Sequence, residues 1–203
     1  ILCFADAGGG LVMDVVSDAY ASKEIRRGTH VVSNHFLTRR GKTWASEPPG
    51  KNSARRKERM EQLLRRSSHP PSPEEVFALS RDRRSASHPL CNADTNRRSM
   101  TISAQLQVIS RAAPQESVNY VCCGNTRHSV YLPVPLAFEE TFLPLLDGTF
   151  YRAADRLYRK HRCSAHLRKV QRAFERSMPG RTDYADLYRE ALRQLRRAAS
   201  DRD

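Results

Sequence analysis

The chain has 203 residues, 39% hydrophobic and 28% charged, enough for one sizeable core or for one domain with an appendage. No apolar run approaches the roughly 20 residues of a membrane-spanning helix, and no basic leader precedes an apolar stretch as it would in a secretory signal. The net charge is +13 with Arg far outnumbering Lys, a balance that attracts nucleic acid or anionic surfaces and also fits helices with solvated Arg faces.

Residues 1–36 read as β. Residues 1–5 and 11–16 are apolar and flank a glycine-rich turn, which is the pattern of a hairpin. The glycines at 8–10 are not followed by Gly-Lys-Ser/Thr or by a helix, so they are read as a turn and not as a phosphate cradle. A further strand is expected over 30–36. Residues 41–52 read as a Pro/Gly/Ser loop, after which Ser53 is expected to cap a helix whose apolar stripe is Met60, Leu63 and Leu64.

A second helix opens with Ser72 as N-cap, Pro73 at the first helical position and Glu75 closing a capping box, and it should end near Ser80. The loop that follows, over 81–99, carries Cys91 and Asn92. Residues 100–110 alternate cleanly, with Ile102, Ala104, Leu106 and Val108 on one face of a strand. Residues 117–123 form the next strand, ended by Gly124 and Asn125, and 130–134 a short one. From Phe150 the pattern is helical over 150–176 and 184–199, with Met178-Pro179-Gly180 between and Leu187, Ala191, Leu192 and Leu195 as a stripe on the second. The order of strands, helices, strands and helices signals an α+β fold with layered packing.

Five cysteines, an odd count, point to reduced thiols in a cytoplasmic setting. Adjacent Cys122 and Cys123 point to opposite faces of a strand and cannot chelate together. On a helix His161, Cys163 and His166 would not share a face, and no metal or cofactor is expected. The basic runs at 55–66, 81–98 and in the last third lack interleaved stacking aromatics. Nucleic acid is therefore a runner-up partner, and no membrane partner is expected.

Taken in order, an Asp-x-x-Gly turn, the run Ser33-Asn34-His35-Phe36, the helix NSARRKERMEQLL, the Ser-Pro-Glu-Glu helix ending in LSRDR, a loop with Cys91, the strand TISAQL and the segment VCCGNTRHSVYLP form a series. Over about residues 1–136 it resembles the later part of the choloylglycine-hydrolase and isopenicillin N acyltransferase group of N-terminal-nucleophile hydrolases. It is most similar to the acyltransferase-like peptidase branch. The resemblance implies residues 1–148 as the C-terminal portion of a four-layer αββα sandwich, followed by a helical extension over 149–203.

It implies cleavage or transfer of acyl groups on linear amides. The nucleophile in that group is an N-terminal Cys whose α-amino group is its base. Asn34 matches the residue that gives an amide N–H to the developing oxyanion. Arg56 matches a cation that favours thiolate over thiol, with Arg55 and Arg59 as neighbouring alternatives. His35 is read as a packing residue and Cys91 as a buried structural thiol. Asp14 stands where the branch commonly has Glu.

Cys3 does not fit the nucleophile: two residues precede it, and it lies too close to Asn34. The nucleophile is expected from a missing N-terminal segment or separate chain upstream of Ile1, and this chain alone is expected to lack amidase activity. A basic nucleic-acid-binding protein and a non-catalytic degenerate scaffold are the alternatives.

Overall fold

The computed structural model describes residues 2–26, 30–31, 38–45, 51–67, 70–83, 90–91, 101, 103–135, 143–160 and 165–200. Among these the chain is mixed α+β, with two three-stranded antiparallel sheets and seven helices.

The first sheet runs β1 (Leu2–Ala5), β2 (Gly10–Val15) and β3 (Tyr20–Ile25), in that spatial order. Its first hairpin closes because Asp6 turns its carboxylate onto the backbone just ahead. Asp6 Oδ1 accepts the Gly8 N–H at 2.7 Å and the Gly9 N–H at 3.0 Å, while the Asp6 N–H donates to the Gly9 carbonyl. A short Asp side chain next to glycines that tolerate any backbone angle is what such a turn needs.

Register decides what each face of this sheet carries. Leu2 opposes Met13, Phe4 opposes Leu11 and Val15 opposes Tyr20, so all six lie on one face. Leu2, Phe4, Val15 and Tyr20 remain exposed there. The other face buries Val12, Asp14 and Ala21. Of residues 30–36, only His30 and Val31 are described, and neither is in a strand.

Two short stretches depart from the sequence expectations. Helix α1 (Arg39–Lys42) forms where a loop was expected to begin, capped by Thr38, whose Oγ1 accepts the Gly41 N–H at 2.8 Å. Helix α2 (Lys51–Leu64) starts two residues before Ser53, which is therefore a buried residue of its first turn and not the N-cap. Helix boundaries are the weakest part of a pattern reading, because capping preference is small beside tertiary packing.

Helix α3 (Pro73–Ser80) follows the sequence reading at both ends. The Ser72 N–H donates to Glu75 Oε2 at 2.8 Å, and the Glu75 N–H donates back to Ser72 Oγ at 3.2 Å. That reciprocal pair satisfies donors the first turn leaves open and stabilises the helix start by about 1 kcal/mol.

The second sheet is β4 (Ser103–Val108), β5 (Val118–Cys123) and β6 (Tyr131–Pro135), again in chain order. Ala104, Cys122 and Tyr131 lie side by side, as do Leu106, Tyr120 and Pro133. The alternation over β4 thus turns Ala104 and Leu106 to the core, while Val108 stays 40% exposed. Cys122 is buried in the core, and Cys123 beside it is partly buried and packs against it.

Gly124 ends β5 with φ +101°, a left-handed angle that favours glycine, and a Cβ there would come within 2.8 Å of the Ala154 Cβ. The backbone turns tightly at this point so that helix and sheet can meet.

Four helices complete the chain: α4 (Leu143–Leu146), α5 (Thr149–Lys160), α6 (Ala165–Arg176) and α7 (Tyr184–Ser200). The helical pattern read over 150–176 is two helices, α5 and α6, and the stripe Leu187, Ala191, Leu192 and Leu195 on α7 is buried. One hydrophobic core joins α3, the second sheet and α5–α7 through Phe77, Tyr131, Phe150, Leu157, Phe174 and Leu195, among others. Phe77 stacks on Tyr131 with ring centroids 4.1 Å apart and meets Tyr120 edge-on at 5.3 Å. Large side chains buried this fully stabilise by about 1.5–3 kcal/mol each against exposure. No helix among the described residues is long and apolar enough to cross a membrane.

Candidate active site

Asn34 and His35 fall in 32–37, outside the described residues. What is described is how the chain leaves that segment. Asp14, buried at the middle of the first sheet, accepts the Thr38 N–H on Oδ2 at 2.7 Å. Thr38 in turn caps α1 through Gly41. Gly41 packs so tightly on the acid that a Cβ would meet Asp14 Oδ2 at 2.4 Å and Thr38 Oγ1 at 2.8 Å. The sheet therefore pins the backbone four residues after Asn34. An acid on the buried face of an apolar strand was the signal for this anchor, which the sequence reading noted only as a departure from Glu.

The arginines of α2 divide by environment. Arg55 is exposed. Arg59 makes a two-pronged bond to Asp82, 2.9 Å from Nε and 3.1 Å from Nη2, and that bond holds its guanidinium above the usual range. Arg56 is half-buried, and its Nε is buried with no hydrogen-bond partner among the described residues. A guanidinium carries five donors and cannot shed its charge, so a buried Nε without an acceptor is poised to meet one. The Arg59–Asp82 fork fixes α2 against the end of α3.

His30 lies against the same helix. Burial holds its pKa below the ordinary imidazole value, helped by Lys23 and Lys57 and opposed by Glu61. Its Nε2 is also buried without a partner among the described residues. A neutral ring beside a cationic helix follows from those neighbours.

The same end of α3 is tied down on its other side by a buried polar network centred on its C-cap, Arg81. Arg81 donates to Glu175 of α6 through Nη1 at 2.7 Å and Nη2 at 2.5 Å, and to the Thr126 carbonyl through Nε at 2.7 Å. Burial opposes the charge on Arg81, and the carboxylate outweighs it. Glu175 Oε1 also accepts the Tyr131 N–H at 3.2 Å. Gln171 donates to the Ser129 carbonyl at 2.6 Å, so α6 holds the whole turn between β5 and β6. Cys91 reaches into this turn: its thiol donates to Asn125 Oδ1 at 3.3 Å and accepts from Thr126 Oγ1 at 3.1 Å. It is fully buried.

The thiols do not offer a nucleophile–base pair among the described residues. Burial pushes the Cys122 thiol up to about 12 and raises Cys123 as well, which keeps both protonated and inert. Cys3 is exposed on β1. Among the described residues no group of three or more His, Cys, Asp or Glu could hold a metal ion; His161 and Cys163 and the side chain of His166 lie outside them.

A cleft of about 290 Å³ opens between the β1–β2 turn, at Ala5, Asp6 and Ala7, and the ends of β4 and β5. It is lined by Val108, Ile109, Pro114 and Val118 with Gln107 and Asn119 as its amides. The Asn119 Oδ1 is buried without a partner among the described residues. Arg56 is not among the residues that line this cleft. No family model, curated protein or solved structure matches this chain.

Proposed function

We propose that this chain is the C-terminal portion of an N-terminal-nucleophile amide hydrolase or acyltransferase acting on linear amides, organised as an αββα sandwich. A cysteine supplied from outside these residues is the nucleophile, Asn34 donates its amide N–H to the oxyanion, and Arg56 holds the sulfur as thiolate. The α-amino group takes the thiol proton, and the sulfur attacks the amide carbon, moving the carbonyl π pair onto oxygen. Collapse of that adduct breaks the C–N bond; the amine leaves with the proton held by the α-amino group. Water or a second acceptor then opens the thioester.

The observation that carries this reading is the buried Nε of Arg56, without a hydrogen-bond partner among the described residues, on a helix locked by Arg59–Asp82. A fixed cation next to a sulfur lowers its pKa, and a neutral amide donates without titrating, so the two residue types suit these two roles. Two antiparallel sheets, the second backed by helices, and the Asp14 anchor after the Asn34 segment are compatible with it.

The test is acylation. The protein is expressed joined to the coding sequence immediately upstream and incubated with acyl-amino-acid and penicillin-type amides, and its intact mass is then measured. An acyl adduct on a cysteine outside this chain, lost in Arg56→Gln, is the expected result. No adduct with any amide, or one that forms as fast in Arg56→Gln, overturns the proposal. Turnover by the 203-residue chain alone overturns the external nucleophile.

A further inference from the structure

Positive charge is concentrated in the last helices. Residues 149–200 hold fourteen basic against five acidic side chains. The apolar sides of α5–α7 are spent on the core, with Phe150, Leu157, Leu167, Phe174, Leu187 and Leu195 at 1% exposure or less. What remains outward is cationic.

On α6 the exposed charged side chains are Arg168, Lys169, Arg172 and Arg176, and its one acid, Glu175, is buried against Arg81. On α7, Arg189, Arg193 and Arg196 follow at i, i+4 and i+7, which places them in one stripe about 10 Å long. With Arg181 they line a groove of about 520 Å³. Asp186 pairs with Arg189, while Arg181 pairs with both Asp183 and Glu190. Arg193, Arg196 and Arg197 are exposed and enter no ion pair among the described residues.

We propose that the outward faces of α6 and α7, centred on the Arg181–Arg189–Arg193–Arg196 groove, bind the phosphate backbone of double-stranded nucleic acid without reading its sequence. The inference is independent of amide chemistry. Three features choose this partner. Arg outnumbers Lys 29 to 6, and the guanidinium fork matches phosphate oxygens two at a time. Surface pairs such as Arg189–Asp186, with both side chains more than half exposed, contribute little, so phosphates displace the acids readily. No exposed aromatic accompanies the α7 stripe to stack unpaired bases, and no apolar residue flanks it that could enter a lipid interface, since Leu192 is buried.

The probe is a short mixed-sequence DNA duplex titrated into the 203-residue chain at several salt concentrations. Four guanidinium groups neutralising four phosphates give a log–log salt slope of about −3.6, hence a loss of about a hundredfold in affinity between about 50 and 200 mM salt. Arg193→Gln/Arg196→Gln should weaken binding and lower the slope by about two. Arg65→Gln/Arg66→Gln, which removes the same charge from the exposed turn after α2, should change neither. Absence of duplex binding overturns the proposal, as does equal loss in both double variants. Binding to phosphatidylserine vesicles that excess duplex does not compete away assigns the surface to membranes and also overturns it.

Discussion

Removing the carboxylate of Glu175 tests whether α6 is fastened to the sheet as described. Its side chain is 5% exposed and that of its partner Arg81 15%. In Glu175→Ala the guanidinium stays buried with carbonyl bonds from Thr126 at 2.7 Å and Ser129 at 3.4 Å, but its counter-charge is gone and the Tyr131 N–H loses its acceptor. Breaking a buried pair from one side costs about 3–5 kcal/mol. For a chain of this length each kcal/mol moves the melting point by about 2–4 °C, so a fall of about 10 °C is expected. Arg81→Met/Glu175→Leu removes both charges and should cost less than the single change, because no charge is left stranded. Urea unfolding of the three proteins decides it. A loss below about 1 kcal/mol in Glu175→Ala, or a double variant less stable than the single, refutes the reasoning.

Gly41→Ala should destabilise by about 1–3 kcal/mol in the same assay, since the added methyl meets the Asp14 carboxylate at 2.4 Å inside a buried anchor; an unchanged midpoint contradicts the anchor. His30 resists protonation in the fold while the unfolded chain takes up a proton near the ordinary value of 6.5. Acid therefore favours unfolding: stability falls as pH drops through 6.5 toward the lowered value, and His30→Gln should flatten that fall. Parallel stability–pH curves for the two proteins would sink this account. With a thiol-reactive reagent at pH 8, Cys3 should label in the native protein, whereas Cys91 and Cys122, both 0% exposed, should react only after unfolding; peptide mapping reports which sites are modified.

The parts of the fold legible in the sequence are those set by local chemistry. Ser72, Pro73 and Glu75 specify a helix start within four residues, and the α7 stripe and the β4 alternation each follow from one element meeting one core. Strand β3 was not separately legible, because Tyr20–Ile25 carries little alternation of its own and is held by its ladder to β2. Helix α1 contains a glycine and three basic residues and forms because Asp14, 24 residues upstream, fixes its cap. The Arg81–Glu175 tie spans 94 residues, and no spacing rule reaches that far. At the site, Arg56 was chosen by resemblance; what distinguishes it from Arg55 and Arg59 is burial and partnership, which depend on Asp82 and on packing.

If the proposed amide chemistry occurs beside residues 34 and 56, the turnover number of Asn34→Ala reports it. In the protein joined to its upstream coding sequence, removing an oxyanion donor should lower kcat by about a hundred- to a thousandfold while KM changes little. A variant that turns over amides at the full rate, with its fold intact by melting, would contradict the account.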